Sequence, residues 1–483
     1  MLPPSVAIFS AMLKNDGHEI ELFDTTYWEI QDDDLVDNES YKEKNLHVRP
    51  YEKSKQEVSL KKTDVYAEFS ATVDDFEPDL IAVSCTEDLF LFAIRLLKAI
   101  KNKRKAKTII GGMLPTFAPE KVIRYPEIDI VCVGEGEQPL LELCRRIENG
   151  QNCTDVPSLW FKQNGTVHKN PLCPPFNLDD VPLLDLDIFE EARFYKPFDG
   201  KVYKTFPVET HRGCSYCCTY CNSPDQRRLY QQQFKNGFFR IKSIDNVRAE
   251  MLHFKNGYSA EYLYFWADTF LASPQSYLQE FAEMYADEIA LPFWIQTRPE
   301  TINENNLRLL KKMGIHRMGL GLEHGNEEFR RKVLKRNMSN KDTIRKLRMI
   351  ADYDIKFSVN NIIGFPMETR QLALDTIRLN RQIPADTYNM YTFTPFHGTA
   401  LRTLAVEKGI LDPEVIATSL ANATVLDMPQ FTRDQIEGLK RCFIPYVLLD
   451  ESRWPQIQQA EMLTPQGNAI WEKLIEECGE KFF

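Results

Sequence analysis

Four cysteines lie within eight positions of the chain, at residues 214, 217, 218 and 221 of the stretch THRGCSYCCTYCNS. Thiols at this density serve a structural zinc site, a disulfide or an iron–sulfur cluster. No basic residue precedes the short apolar segment at the start of the chain, so that segment makes a poor export signal. We therefore expect a cytoplasmic protein whose 11 cysteines are reduced or metal-bound rather than paired.

Three of these cysteines, Cys214, Cys218 and Cys221, have the spacing C-x3-C-x2-C, and Cys217 lies outside it. Structural zinc takes four ligands, commonly as two separated pairs. A second pair is missing here unless Cys217 serves, and adjacent cysteines rarely suit one tetrahedron. A 4Fe–4S cluster normally takes four thiolates, so three would leave one iron open to a substrate or cofactor. The spacing favours the cluster over zinc and leaves the role of Cys217 open.

The cysteines follow the first of six predicted strands that alternate with helices between residues 201 and 400. The strands are FPVET, YLYFWA, FWIQTR, RMGLGLE, FSVNNII and YNMYTFT, and the helices lie near residues 243–255, 275–287, 303–313, 339–352 and 369–382. This alternation predicts a partial (β/α)6 barrel. Catalytic groups of such a barrel lie at the carboxyl ends of its strands, where the cysteines also fall.

Side chains alternate between two faces along a strand, so the inner surface of the barrel can be predicted. The inward residues are Gly319, Gly321 and Glu323 on one strand and Tyr264, Trp266 and Asp268 on another. A buried carboxylate is costly unless it meets a partner. Candidate catalytic residues are therefore Asp268, Arg298 and Glu323, with Gly364 at the end of a neighbouring strand. The alternative is that Asp268 and Glu323 only cap a helix or pair with a lysine.

Residues 1–150 show a second strand–helix alternation, which predicts a Rossmann-like domain. A helix over PSVAIFSAMLKN ends at Gly17, HEIELFD follows as a strand, and further strands are LIAVSC, KTIIGG and IDIVCV. Residues 151–200 are predicted to form a hairpin around Asn164-Gly165 and a proline-rich linker. Residues 401–483 are predicted to be helical and to cover the open side of the barrel.

Small and polar residues end the strands of this first domain. They are Ser84 and Thr86, Gly111 and Gly112, and the turn Gly134-Glu135-Gly136. Ligands of open α/β sheets bind outside the carboxyl ends of the strands, and a glycine-rich turn before a helix suits a phosphate or polar tail. The alternative is an empty, scaffolding domain.

The barrel segment resembles the radical SAM superfamily. The cysteine spacing with Tyr220 before its last member, and the stretches FWADTF, IQTRPE, GLGLEHG, NIIGFPMET and TPFHGTAL, match the family's motifs in order. The resemblance implies a 4Fe–4S cluster on the three spaced cysteines, whose free iron chelates S-adenosylmethionine. Reductive cleavage then gives a 5′-deoxyadenosyl radical. It further implies that the backbone of Tyr220 and the Gly364 region meet the adenine, Asp268 the methionine amino end, and Glu323 the ribose or amino group.

The first domain resembles the cobalamin-binding domain found ahead of many radical SAM barrels, through DLIAVSCT, TIIGGMLPTFAPE and DIVCVGEGE. Two features depart from it. The D-x-H-x-x-G loop that supplies a histidine to cobalt is missing, which fits base-off, histidine-off binding. The chain also begins inside the first helix, so the family's first strand has no counterpart. Either the sequence is truncated at its start, or the sheet lacks a strand on one side of the ligand crevice, and both alternatives call cobalamin affinity into question.

Together these resemblances imply a cobalamin-dependent methyltransferase acting on an unactivated carbon or phosphorus centre of a small molecule, for example one of natural-product-like or lipid-like class. One alternative is a cyclase or rearrangement enzyme with the same cofactors, and another is a corrinoid-binding sensor or carrier. A reducing partner such as flavodoxin or ferredoxin is implied. The net charge of -11 without a basic block argues against a dedicated nucleic-acid binder. No apolar run approaches the roughly 18 residues of a membrane span.

Overall fold

The structure is a computed structural model that describes residues 2–30, 38–52, 60–100, 105–235 and 238–482. Its strands are β1 (Leu80–Ser84), β2 (Lys107–Gly111), β3 (Ile130–Cys132), β4 (Leu159–Gln163), β5 (Thr166–Lys169), β6 (Tyr195–Phe198), β7 (Lys201–Val208), β8 (His211–Arg212), β9 (Arg240–Ile241), β10 (Tyr262–Phe265), β11 (Phe293–Thr297), β12 (Arg317–Glu323), β13 (Lys356–Ile363) and β14 (Thr387–Thr392).

The helices alternate with these strands. They are α1 (Pro4–Asn15), α2 (Asn38–Lys44), α3 (Val65–Phe76), α4 (Phe90–Ile100), α5 (Met113–Phe117), α6 (Pro119–Val122), α7 (Glu137–Glu148), α8 (Ser223–Gln231), α9 (Ile244–Gly257), α10 (Gln275–Met284), α11 (Glu304–Met313), α12 (Glu327–Lys332), α13 (Asn340–Asp352), α14 (Arg370–Asn380), α15 (Ala400–Glu407), α16 (Arg433–Arg441), α17 (Phe443–Leu448), α18 (Trp454–Glu461) and α19 (Pro465–Phe482). Among the described helices, none combines the length and apolar character that a membrane crossing needs.

The first sheet has the order β1-β2-β3-β4-β5, with β1 to β3 parallel and the hairpin β4–β5 antiparallel at one edge. Ile109 and Ile110 are buried on opposite faces of β2, which explains why two apolar residues are adjacent there instead of alternating with polar ones. The predicted hairpin turn is confirmed, since Asn164 and Gly165 both have positive φ, of 50° and 77°. The Rossmann-like prediction is thus confirmed for these strands.

The strand predicted over HEIELFD was wrong, because residues 18–24 belong to no strand or helix. In the doubly wound order 2-1-3-4-5, the second strand pairs only with the first. Within the described residues before β1, no first strand is present to supply that partner. The helix before this segment ends as predicted: Gly17 has a φ of 95°, and the amide of His18 donates to the carbonyl of Leu13 at 3.0 Å.

The second sheet has the order β14-β13-β12-β11-β10-β7-β6. Its six strands from β7 to β14 are parallel, which confirms the partial barrel, and β6 adds an antiparallel strand at the edge. Leu263 and Phe265 of β10 are fully buried under the helices, whereas Trp266 at its end is exposed. The predicted faces of this strand are therefore correct. The region after residue 400 is helical in α15 to α19, as predicted.

Helix α1 belongs to both hydrophobic cores. Leu13 packs with the first sheet, whereas Ala7 and Ile8, together with Leu2 just before the helix, are buried in the core of the barrel. The middle of this helix is tied to the linker, where Asp185 accepts from the hydroxyl of the buried Ser10 at 2.6 Å. The two sheets are therefore joined by a shared helix as well as by the linker.

Candidate cofactor site

The cysteine loop lies between β8 and α8, beyond the carboxyl end of the first barrel strand, β7. Cys218 is buried, and its Sγ accepts a hydrogen bond of 2.9 Å from Nη1 of Arg298, which follows β11. The Sγ of Cys214 lies 3.8 Å from the hydroxyl of Thr269, which follows β10. The predicted ligands Cys214 and Cys218 therefore face the ends of the next two barrel strands.

The third predicted ligand connects to Asp268. The thiol of Cys221 lies 3.6 Å from the hydroxyl of Ser223, and that hydroxyl donates to Oδ2 of Asp268 at 3.1 Å. Asp268 is open to solvent, but the protein around it raises the pKa of its carboxyl by desolvation. Its side-chain partner, Ser223, is the first residue of α8, directly after the cysteine loop. It is neither a lysine nor a residue of the helix that follows Asp268, which differs from the alternative considered for it.

Cys217 points elsewhere. It is exposed, and its Sγ lies 3.1 Å from Nη2 of Arg227, which also donates to the backbone carbonyl of Cys214 at 3.0 Å. Cys217 is therefore held on the outer side of the loop, next to α8.

The donor set of Cys214, Cys218 and Cys221 fits a 4Fe–4S cluster. All three are free thiols. Among the described residues, no three histidine, cysteine or acidic side chains come close enough to hold one ion. Burial raises the pKa of Cys221 to about 11, so a bound metal has to displace a proton there.

Arg298 is nearly buried and makes three contacts at once. Besides the bond to Cys218, its Nη2 donates to Glu300 at 2.6 Å, and its guanidinium lies 3.6 Å from the ring centroid of Tyr216. A planar guanidinium is suited to combining such a fork with ring stacking. The guanidinium of Arg298 therefore lies directly beside the thiol of a predicted cluster ligand, Cys218.

Glu323 ends β12 and pairs with Arg336, not with a lysine. Nη1 of Arg336 lies 3.1 Å from Oε1 of Glu323 and 2.6 Å from the carbonyl of Gly321. A Cβ on Gly321 would lie 2.2 Å from Oε1 of Glu323, so this position has to be glycine for the carboxylate to fold back. Burial raises the pKa of Glu323 despite the arginine. Arg336 was missed by sequence reasoning, because it lies 13 residues further along the chain.

Glu300 completes this buried ionic cluster. Its carboxylate accepts from Arg298 at 2.6 Å and from Arg336 at 2.9 Å. Burial alone raises the pKa of Glu300, but the charges and hydrogen bonds of Arg336 and Arg298 outweigh it and lower the pKa to about 2.

We expect Glu300→Gln to remove part of the acid dependence of stability. Because the folded pKa lies below the unfolded one, the ionised Glu300 contributes fully above about pH 4.3 and its contribution is lost as the pH falls towards about 2. The stability deficit of the variant should therefore shrink by on the order of 2 kcal/mol between about pH 6 and about pH 3. Urea unfolding of both proteins at each pH measures this. The exposed Glu472→Gln serves as control, and a deficit that stays constant with pH would contradict the assignment.

The predicted adenine segment is shaped by a carboxylate that sequence reasoning missed. Gly364 has a φ of 86°, and its amide and that of Phe365 donate to Oε2 of Glu368 at 2.6 and 2.9 Å. The other oxygen of Glu368 lies 3.2 Å from Nε2 of the buried His324. The ring of Phe365 lies 6.0 Å from that of Tyr220. The structure thus brings the predicted residues Tyr220 and Gly364 into one region.

The carboxyl ends of the first sheet are in part closed by the protein itself. The hydroxyl of Ser84 lies 3.3 Å from that of Ser5 at the start of α1. A Cβ on Gly112 would lie 2.5 Å from the carbonyl oxygen of Cys85, and one on Gly134 2.5 Å from the hydroxyl of Tyr230. Close packing within the chain therefore explains these two glycines. The predicted roles of Ser84, Thr86, Gly111, Gly112, Gly134, Glu135 and Gly136 towards cobalamin stay predictions.

Glu135 links the two domains. Its carboxylate accepts from Arg212 at 2.7 Å and from Arg240 at 2.9 Å, and its backbone amide donates to the hydroxyl of Tyr230 at 2.8 Å. Since Arg212 stands two residues before Cys214, the glycine-rich turn and the cysteine loop are neighbours.

A second pair joins the same two edges. The buried Glu87, just after β1, lies 2.7 Å from Nδ1 of His397 and accepts from the backbone amides of His397 and Ala417, both at 2.9 Å. His397 follows β14, the last barrel strand. The carboxyl ends of the two sheets therefore face each other. The sequence gives no sign of this pair, since 310 residues separate Glu87 from His397.

Comparison with known proteins supports both halves of this arrangement. A family model described as the Radical SAM superfamily matches residues 208–379, and one described as the B12 binding domain matches residues 51–144. An uncharacterized methyltransferase from Pyrococcus horikoshii is 25% identical over 389 residues, covering 79% of this chain and 82% of that protein.

Two further similarities are more distant. An anaerobic magnesium-protoporphyrin IX monomethyl ester cyclase from Rubrivivax gelatinosus is 24% identical over 339 residues, which are 67% of this chain and 58% of the cyclase. The radical S-adenosylmethionine methyltransferase TsrM from Kitasatospora setae, solved with cobalamin and a [4Fe-4S] cluster bound, superimposes with a TM-score of 0.65 at 14% identity. That superposition covers 100% of this chain and 97% of TsrM, and it shows a common fold.

Proposed function

Because this chain is a radical SAM protein with a B12-binding domain ahead of its barrel, we propose that it is a cobalamin-dependent methyltransferase. It uses S-adenosylmethionine, a 4Fe–4S cluster and cobalamin to methylate an unactivated carbon or phosphorus centre of a small molecule. The methyltransferases among its relatives and structural neighbours support this reaction class. Its 11 cysteines are free thiols, which supports a reducing cytoplasmic location.

In this proposal, Cys214, Cys218 and Cys221 hold the cluster, which supplies the electron that cleaves S-adenosylmethionine. Asp268 and Glu323 take the polar groups of that molecule, since both end barrel strands next to the cysteine loop. The turn at Gly364 offers backbone groups to the adenine. Cobalamin, when bound at the ends of β1 to β3, supplies a carrier for the methyl group.

One observation carries the proposal most strongly: the two predicted cofactor edges meet. Glu135 of the glycine-rich turn contacts Arg212, only two residues from the first cluster ligand, at 2.7 Å. Methyl transfer between a substrate in the barrel and a corrin in the first domain requires the two sites to adjoin. The buried contact between Glu87 and His397 holds the same edges together on the other side.

A substrate-independent experiment tests the proposal. The protein is reconstituted anaerobically with iron, sulfide and hydroxocobalamin, then reduced in the presence of S-adenosylmethionine that carries a ¹³C-labelled methyl group. We expect about four irons per chain, stoichiometric corrinoid, formation of 5′-deoxyadenosine and labelled methyl on the corrinoid.

The other outcomes separate the alternatives. Formation of 5′-deoxyadenosine with bound corrinoid but no labelled corrinoid would overturn methyl transfer and favour the cyclase class, to which a relative belongs. Corrinoid without a cluster would favour a sensor or carrier. A cluster without corrinoid would leave the radical enzyme and remove cobalamin. The matched control is Cys214→Ala, which should bind corrinoid but form no 5′-deoxyadenosine.

A further inference from the structure

A surface cavity of about 300 Å³ opens beside the cysteine loop. Its lining includes Cys217, Cys218, Cys221, Arg227, Arg228 and Lys335. Two predicted cluster ligands thus line a cavity that reaches the outside of the protein. The cluster, under the proposed function, lies just behind this wall.

The rim of the cavity is basic in a protein of net charge -11. Arg228 and Lys335 are exposed, as are Arg331 and Lys332, which shortly precede Lys335 in the chain. Asp225, which also lines the cavity, pairs with Arg228 and is the acidic group in this lining. We call this surface the basic rim.

The basic rim is fixed to the cysteine loop. The hydroxyl of Thr219 donates to the carbonyl of Val333 at 2.7 Å, and the amide of Thr219 donates to the carbonyl of Leu334 at 3.4 Å. Arg227 holds the loop from the other side through Cys214 and Cys217. A molecule seated on the rim therefore lies next to Cys218 and Cys221, the two predicted cluster ligands that line the cavity.

We propose that the basic rim is the docking surface for an acidic protein that carries single electrons, of the flavodoxin or ferredoxin class. This inference rests on the proposed function, because it requires the cluster. In each encounter the reduced carrier gives up one electron and is oxidised, and the cluster takes up that electron. No atom or proton is transferred. Charge complementarity of this kind accelerates protein association by long-range steering.

The test compares two variants of equal net charge. Arg228→Glu/Lys335→Glu reverses two charges of the basic rim, and Lys312→Glu/Lys473→Glu reverses two exposed lysines on α11 and α19, away from it. Stopped-flow absorbance follows reduction of the reconstituted cluster by reduced flavodoxin at several salt concentrations. The rim variant is expected to be reduced at least about tenfold more slowly at low salt and to lose most of the salt dependence, whereas the control variant follows the wild type.

Photoreduced 5-deazariboflavin, a small neutral reductant, separates the possible failures. It should reduce the cluster at the same rate in all three proteins, which shows that the cluster itself is intact. Equal rates with flavodoxin in the rim variant and the wild type would overturn the docking surface while leaving the proposed function standing. Failure of the wild type to form a reducible cluster would overturn the proposed function and this inference together.

Discussion

Single Cys214→Ala, Cys218→Ala and Cys221→Ala variants are expected to lose the cluster and with it all cleavage of S-adenosylmethionine, whereas Cys217→Ala should keep both. The structure separates these residues. The thiols of Cys214 and Cys218 face groups at the ends of barrel strands, and that of Cys221 connects to Asp268 through Ser223. The thiol of Cys217 is exposed and held by Arg227. Loss of a ligand should exceed the 10–100-fold effects typical of groups that only support ligands.

Iron and sulfide content after anaerobic reconstitution, with the visible spectrum of the cluster, measures this prediction. Cys217→Ala is the matched control, because it removes a thiol from the same loop. If it lost iron to the same extent as the other three variants, four thiolates would be engaged and the open iron site would be wrong. If all four variants retained iron, the cluster would have to lie elsewhere.

Arg336→Met is expected to destabilise the barrel by about 3–5 kcal/mol. The guanidinium is almost fully buried and contacts Glu300, Glu323 and the carbonyl of Gly321. Without Arg336, the carboxylates of Glu300 and Glu323 stay buried with less positive charge to offset them. This penalty is larger than the net contribution of the intact ion pairs to stability. A urea titration of the cofactor-free protein measures the change in unfolding free energy.

Two further variants interpret that result. The exposed Arg331→Met removes the same charge and should stay within about 0.5 kcal/mol of the wild type. Arg336→Met/Glu300→Gln should recover part of the loss, because one stranded charge is removed with the arginine. A deficit below about 1 kcal/mol for Arg336→Met alone would contradict the assigned role of the buried ionic cluster.

The barrel was predictable because its signal is local. In β10 and β12, alternation with a period of two separates buried apolar residues from the inner face, and Phe265 and Leu320 are fully buried as that pattern requires. The same reasoning placed Asp268 and Glu323 at strand ends. The cysteine spacing identified the loop that the structure places beside them.

The parts of the site that the sequence did not predict depend on contacts between segments far apart in the chain. Glu323 meets Arg336 from the far side of α12, and Glu135 meets Arg212 from another domain, 77 residues away. No periodic pattern encodes such a pairing. HEIELFD failed for a related reason: it has strand-like alternation, but a strand exists only where a neighbour accepts its hydrogen bonds.

Helix α1 sets a limit on treating the two domains as exchangeable modules. Leu2, Ala7 and Ile8 complete the barrel core, although in sequence they lie at the start of the first domain. A barrel expressed from residue 201 onward would therefore carry an unfilled apolar hollow, and a graft of the first domain onto another barrel would present an apolar helix face shaped for this one. In any chimaera between relatives, one face of α1 would have to match the first domain of one parent and the other face the barrel of the other parent.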